Sequence, residues 1–494
     1  MGEALTTIRS GLKAGKLVPR VPREGRPAMS PVLPDSLGAD APIDDRAPHE
    51  FPITDAGNAE LLAQLFSDQI KYDHIRRRWY LWAGHRWQSD GTLRIYQLAK
   101  EAARTRYHSA AAIEDEKARI AQAKFATYSE TSKFIDAALK LAMSEPALAD
   151  DGKGWDTDPY LLGVANGVVD LRTGVVRAGL PADRMTLSNG VEFVPDAQCP
   201  QWLRFLDEVF EGDAEVLAYL RRGVGYSLTG HVTEQVLHVC HGSGSNGKSV
   251  FLDILSALAG EYATNTAFST FEARDRGAIP NDLAALAGKR LITSAETNEN
   301  ARLNEARVKA FVHGDTMTAR FMRANFFDFR PAGKLWWAVN HKPKVMDDSK
   351  GFWRSVRLIP FLRTFEGDEQ DRGLTAKLLE ELPGILQWAI AGAVEWSEQG
   401  LDPPESVRNA TQEYQDESDL LRDFIAEACV ENTSAVTSAG DLYKAYKSWA
   451  DSSGLTDRER LNSNAFGRRL GTRFKRKPTA SARLYRGIGL KVPS

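Results

Sequence analysis

Cysteine is scarce in this 494-residue chain: Cys199, Cys240 and Cys429 are three in number and far apart. That excludes a disulfide framework and fits a reducing compartment. Neither C-x-x-C nor H-E-x-x-H occurs, so no recognised zinc spacing is present, and the neighbouring His238 and His241 read as structural. No apolar run reaches the length of a membrane span, and the N-terminus lacks a signal-peptide core. The chain is therefore expected to be cytoplasmic, neither secreted nor membrane-spanning. An excess of one charge is missing as well. With 63 Lys and Arg against 66 Asp and Glu the net charge is −3, so any nucleic-acid surface has to be local. The length alone predicts roughly three to four domains.

What is present centres on residues 236–259. Val236 to Cys240 is a short β-prone run, and Val250, Leu252, Ile254, Leu255 and Leu258 give a helical apolar stripe. Between them lies Gly242-Ser243-Gly244-Ser245-Asn246-Gly247-Lys248-Ser249, a G-x-x-x-x-G-K-S loop in the strand–loop–helix setting that a phosphate cradle needs. Glycines let backbone N–H groups close around phosphate oxygens, and the helix N-terminus adds partial positive charge. Lys248 is placed to reach the β- and γ-phosphates of ATP and Ser249 to ligate Mg²⁺.

Upstream, residues 1–50 carry seven prolines and little periodicity, which predicts a disordered tail. Residues 51–155 read as an N-terminal accessory α+β module. It has a helix over 59–66, strands around Arg78-Trp79-Tyr80-Leu81-Trp82 and His85-Arg86-Trp87, and a long Ala-rich helical stretch over 93–143. Its interleaved Arg and Trp fit an amphipathic surface over a small core more readily than base contacts. Residues 156–232 are expected to hold a β-hairpin around Asn166 to Gly174 and apolar helices over 201–229 that lead into the P-loop strand.

Residues 233–400 read as the ATPase core. Leu291 to Ala295 is a strand closed by Glu296, an acid placed to polarise water or support Mg²⁺. Lys309 to Phe329 reads as a helix and then a hairpin with Arg320 and Arg323 near its tip. Lys334 to Val339 is a third strand, closed by Asn340, and Leu358 to Phe361 a fourth. Strands alternating with helices around a P-loop predict an α/β sandwich. Residues 374–400 and 402–431 are expected to be helical, with Pro383 starting the longer helix.

Residues 415–494 end in a basic unit. From Arg458 onward eleven basic residues face one acid, Glu459. Helices over 438–452, capped by Ser438, and over 462–474, then a two-stranded wing over 482–492, predict a winged helix. Arg468, Arg469, Arg473, Lys475, Arg476, Lys477, Arg483 and Arg486 are its candidate DNA contacts.

The order of these motifs resembles the helicase half of phage and plasmid primase–helicases, superfamily 3 within the AAA+ ATPases, of the poxvirus D5 type. The matching stretches are LLGVANGVVDLRTG (161–174), GSGSNGKS, LAGKRLITSAET (286–297), KAFVHGDTMTARFM (309–322), KLWWAVNHKPKV (334–345), GFWRSVRLIPF (351–361) and the tail around DLYKAYKSWA (441–450). The resemblance implies an ATP-dependent, ring-forming DNA helicase, usually hexameric, that translocates on single-stranded DNA and acts on forks in a bacterial host cell. It assigns Gly242 to Ser249 to the Walker A loop, Glu296 to the water-activating Walker B acid and Asn340 to the γ-phosphate sensor. Arg320 and Arg323 fall in the hairpin that grips the strand, and Arg354 or Arg357 in the arginine finger that reaches a neighbouring subunit. Ser355 replaces a second adjacent arginine, and the Walker B end carries one acid rather than two. The alternative is an origin-recognising or loading ATPase without strand separation; a defective mobile-element remnant is a third reading, hinted at by Ser355. Primase activity is not expected, because Asp44-Asp45, Asp150-Asp151 and Asp156-x-Asp158 lack the context of a two-metal site. A separate primase would then be a partner.

Overall fold

The computed structural model describes residues 45–273, 281–295, 302–322, 325–346, 349–455, 460–478 and 483–491. Helix Asp55–Phe66 is followed by strands β1 (Ile70–Asp73), β2 (Arg78–Trp82) and β3 (Trp87–Ser89). The Ala-rich stretch then breaks into helices Arg94–Ser109, Glu116–Ser129 and Ser132–Ala142, with Asp115 capping the second. Short β4 (Ala149–Asp150) completes a sheet ordered β3-β2-β1-β4. Trp79 and Leu81 pack against the helices, whereas Tyr80, Trp82 and Trp87 face Trp155 on the other side. Most of the interleaved tryptophan is thus core. Arg106 is buried among the helices, donating to the carbonyls of Phe51 and Gly57, each at 2.9 Å.

The expected hairpin is one half of a meander: β5 (Leu161–Val164), β6 (Gly167–Asp170) and β7 (Val175–Arg177). Helices Pro200–Val209 and Ala214–Leu228 follow, the second capped by Asp213. Trp202, Phe205, Tyr219 and Leu220 from these helices share one core with Phe251 and Leu255 of the P-loop helix and with Ile385 and Ala389 of helix Leu382–Gln399. Region 156–232 is therefore packed into the same body as the nucleotide loop.

That body is organised by five strands: β8 (Leu237–His241), β9 (Ala263–Asn265), β10 (Leu291–Ala295), β13 (Lys334–Val339) and β14 (Val356–Pro360). They lie in the order β14-β8-β13-β10-β9, every neighbouring pair parallel. Such a sheet is covered on both faces, and β13 shows it: all six residues of Lys334-Leu335-Trp336-Trp337-Ala338-Val339 are buried. A separate antiparallel pair, β11 (Met317–Ala319) and β12 (Phe327–Phe329), stands outside the sheet.

Two buried cations pin the sheet's starting edge. Arg290 donates to the carbonyls of Leu161 and Leu228 at 2.9 Å and of Asp158 at 3.2 Å. Lys334 donates to the carbonyls of Thr229, His231 and Ala332. Arg290→Met leaves three carbonyls without their donor. It should destabilise the protein by about 3 kcal/mol and lower its main melting transition by roughly 6–10 °C in a calorimetric scan.

The C-terminal unit has helices Leu420–Ala428, Ala439–Ser452 and Ser463–Arg473, the second capped by Ser438 as expected. Its sheet corrects the sequence reading. The hairpin expected as a wing pairs β16 (Lys475–Pro478) with β17 (Arg483–Leu490), so its first strand precedes residue 482. A ten-residue strand, β15 (Cys429–Ser438), also joins β17, giving the order β15-β17-β16. No helix among the described residues is long and apolar enough to cross a membrane.

Candidate nucleotide and nucleic-acid sites

The loop after β8 is shaped by close backbone packing. A Cβ at Gly242 would lie 2.2 Å from the Phe361 carbonyl oxygen, and Gly247 has φ 83° with Phe205 pressed against it. Asn246 is buried and donates to the Phe361 carbonyl at 3.1 Å, while Phe365 N–H donates to the Ser245 carbonyl at 2.8 Å. The loop is thereby tied to the chain that leaves β14.

Lys248, at the first turn of helix Lys248–Ala259, is 5% exposed. Its ammonium donates to Asn246 Oδ1 at 2.7 Å and to the Gly242 carbonyl at 2.9 Å. Burial lowers its pKa, and both acceptors are neutral. A buried cation with no countercharge among the described residues, beside a helix N-terminus, is a setting that an anion completes. Ser249 is exposed on the same turn.

Register places the remaining expected residues. Val339 pairs with His241, and Gly242 N–H donates to the Val339 carbonyl at 3.3 Å, so Asn340 follows the strand end that touches the loop. Ala295 ends β10 opposite Ala338, which itself pairs with Cys240. Glu296 is the next residue in the chain and lies outside the described residues. Three strands thus end together beside the loop.

Arg354 sits at the other edge. Val356 pairs with Leu237 at the start of β8, and the Arg354 guanidinium contacts Gln235 Oε1 at 3.5 Å. The full length of β8, roughly 13 Å or more, separates it from the loop of its own chain. Arg357 is half-buried, and its guanidinium donates to the carbonyls of Arg354 at 2.7 Å and Val356 at 2.8 Å. Ser355 is buried, its hydroxyl 3.5 Å from His313 Nε2.

Beneath the loop, His238 stacks on Trp336 with centroids 3.9 Å apart and meets the Tyr219 hydroxyl at 3.2 Å. Burial first, and then Arg357, push its pKa down to about 3. Folded and unfolded states are both neutral here above the ordinary value of about 6.5. Below it only the unfolded chain takes the proton, so stability drops by about 1.4 kcal/mol per pH unit as pH falls. His238→Phe, which keeps a ring on Trp336, should remove that slope in urea unfolding compared between about pH 7 and pH 5; an unchanged slope would mean that His238 carries none of it.

Sequence reasoning missed a cavity of about 470 Å³ beside Ser245 and Gly247. Helix Pro200–Val209 lines it with Arg204, Phe205 and Glu208, and the chain after β14 with Phe365, Gln370 and Arg372. No motif marks these residues; they meet only because the helix before the P-loop and the segment after β14 flank the same loop.

The β11–β12 pair is braced by Thr318 Oγ1 donating to Asp328 Oδ1 at 2.6 Å. Beyond it Arg320 is exposed, its guanidinium 4.9 Å from the Phe326 ring centre, and Phe321 stacks on Phe327. Phe321, Met322 and Phe326 are 52, 75 and 53% exposed, an apolar tip that the charge pattern alone did not reveal. Arg323 lies outside the described residues.

In the C-terminal unit the eight basic residues separate into two sets. Arg469 is buried and donates to the Met346 carbonyl, Arg473 pairs with Asp419, and Arg476 donates to the Gly467 carbonyl. These hold the unit together and dock it on the body. Arg468, Lys475, Lys477, Arg483 and Arg486 are exposed. Lys475 stands directly across from Arg486, a like-charge pair that costs stability unless an anion lies over it.

Two of the acids weighed for a polymerising site are engaged within the fold. Asp150 binds Gly152 N–H, Trp155 Nε1–H and Arg184, and Asp156 accepts from Thr186 and Leu187. These acids are structural. No group of three or more His, Cys, Asp or Glu able to hold a metal occurs among the described residues. All three cysteines are buried and free.

Comparison with known proteins agrees with this order of parts. A family model described as D5 N terminal like matches residues 59–211, and one described as Poxvirus D5 protein-like matches residues 416–485. The chain thus resembles D5-type proteins in both regions. Between the two D5 matches, a family of unknown function (DUF5906) covers residues 240–355, the stretch from the P-loop to Ser355. The D5-like chain is 27% identical over 319 residues to "Putative helicase L207/L206" of Acanthamoeba polyphaga mimivirus, covering 60% of this chain and 33% of that protein. It is 24% identical over 378 residues to "Putative helicase 022R" of Frog virus 3, covering 60% and 39%. The chain thus spans about a third of the length of the curated relatives it matches. Among solved structures, the apo C-terminal region of NrS-1 aligns over 85% of this chain and 96% of that one, at 11% identity and a TM-score of 0.48, too loose a likeness to bear on function.

Proposed function

We propose that the D5-like chain is an ATP-driven DNA helicase that assembles as a ring and works beside a separate primase. The observation that carries the reading is the placement of Arg354 and the P-loop at opposite edges of one parallel sheet. An arginine there cannot serve its own chain's phosphates, and head-to-tail assembly brings it to the next subunit's loop. The strand order β14-β8-β13-β10-β9 supports an AAA+ core, and the C-terminal helices with β15–β17 support a winged helix.

Each residue's part follows from its setting. The loop backbone and Lys248 bind the β- and γ-phosphates, and the cavity lined by Phe205, Phe365 and Gln370 takes the base. Ser249, with Glu296, would hold Mg²⁺, which neutralises phosphate charge when bound. Glu296 positions the attacking water, Asn340 senses the γ-phosphate and Arg354 stabilises charge developing in the neighbouring site. Arg320, with Arg323 and the apolar tip, grips single-stranded DNA, and the exposed set Arg468, Lys475, Lys477, Arg483 and Arg486 holds the duplex side of a fork. The replicon is a phage, prophage or plasmid in a bacterial cell; the relatives are proteins of large DNA viruses.

The test is ATP-dependent strand displacement on forked DNA, with assembly size read by mass photometry. Displacement by a ring, lost with Lys248→Ala, is the expected result. ATP hydrolysis and DNA binding without displacement would instead identify a loader or initiator ATPase. The exposed tip of Phe321 and Met322 favours the motor, because a loader needs no grip on a strand.

A further inference from the structure

The N-terminal module carries a second cavity, far in the chain from the P-loop. It measures about 360 Å³ and lies between the β1–β2 turn and helices Arg94–Ser109 and Ser132–Ala142. Tyr72, Trp79 and Tyr96 line it with ring surface, and Tyr72 and Trp79 meet edge to face at 5.1 Å. Arg77, Arg78 and Lys140 line it with positive charge. All three cations are exposed, and none has an acid partner among the described residues.

Two acids also reach the wall, and both hold hydrogen bonds of their own. Asp90 accepts from the N–H groups of Thr92, Arg94 and Ile95 at 3.2, 2.9 and 2.9 Å, which disperses its charge. Asp136 accepts the Tyr96 hydroxyl at 2.9 Å and fixes that ring in the wall. The cavity is therefore net positive and ring-walled. Two rim residues are held in the left-handed region, Arg77 at φ 53° and Leu93 at φ 59°, the latter 63% exposed. Neither is a glycine, so the surrounding fold holds both in place at some cost.

Rings beside unpaired cations match one chemistry: a planar base joined to a phosphate. We propose that this cavity binds a single nucleotide unit, its base against Tyr72 and Tyr96 and its phosphate on Arg77, Arg78 and Lys140. The volume suits one nucleotide and excludes a duplex groove. An acidic peptide would use the cations and leave the rings without a flat partner. The unit comes either from a single strand passing over the module or from a free mononucleotide. The site is independent of the ATPase reading, and Lys248→Ala should retain it.

The probe is a short oligothymidylate carrying one iodouracil, photocrosslinked to the full chain without ATP and mapped by mass spectrometry. A crosslink on the peptides holding Tyr72, Trp79 or Tyr96 is expected. In Arg78→Glu/Lys140→Glu it should fall by roughly tenfold, while crosslinks at the 320–327 hairpin and the melting temperature stay unchanged. Both substitutions are on exposed side chains, so the hairpin crosslinks report an intact fold. Loss of the crosslink under excess thymidine monophosphate identifies a free nucleotide as the ligand; persistence identifies the strand. No crosslink at these peptides, or one that the double variant leaves unchanged, overturns the proposal.

Discussion

ATP hydrolysis should fall by about three to five orders of magnitude in Arg354→Ala and return when that variant is mixed with Lys248→Ala. The second half follows from the proposed head-to-tail ring. Arg354 begins at the edge where β8 starts, and Gly242 lies where β8 ends. An Arg354→Ala subunit keeps an intact phosphate loop, and a Lys248→Ala neighbour keeps an intact arginine. One of the two interface orders in a mixed ring is therefore complete. Nucleotide affinity of Arg354→Ala should stay near that of the parent chain, because the missing charge acts on the transition state. Arg357→Ala should be the milder change, since its guanidinium is turned onto the Arg354 and Val356 carbonyls. If mixing restores nothing, the site is complete within one chain and the head-to-tail assembly is wrong.

Lys248→Ala should lower hydrolysis by at least about a hundredfold and weaken ATP binding as well. Its ammonium is buried against two neutral acceptors, so a phosphate gains a charge partner already stripped of water. Removal of the lysine also frees Asn246, whose amide ties the loop to Phe361. The check is equilibrium binding of a fluorescent ATP analogue beside steady-state phosphate release. Unchanged binding and release would remove the loop from the mechanism altogether.

The motifs were legible because they are local. The P-loop glycines, the apolar strand Leu335 to Val339 and the Ser438 cap each declare themselves within a few residues. The α/β layering followed from strand–helix alternation, although the order of the parallel strands depends on crossovers that no short window contains. Strand β15 was missed for a physical reason. Its Glu431, Asn432, Thr433 and Ser434 are exposed, so no apolar alternation marks it, and only pairing with β17 holds it extended. The wing was displaced for a similar reason: Lys475-Arg476-Lys477 looks like a solvated run until Arg483 to Arg486 lies beside it. Charge alone also could not separate Arg468 from Arg469. One is exposed and its neighbour donates inward to Met346, a difference of one position on a helix face.

The segment after Asn340 is shared between the body and the C-terminal unit. Tyr414 donates to the Pro343 carbonyl, Lys342 pairs with Glu417 at 2.7 Å, and Arg469 donates to the Met346 carbonyl. Seven residues thus run from the strand end beside the phosphate loop to the base of the C-terminal unit, fastened at three points. In the proposed motor they form a short rigid lever. If Asn340 shifts on hydrolysis as that motor requires, the displacement would reach helix Ser463–Arg473 through the Met346 contact, coupling the strand end beside the loop to the C-terminal unit.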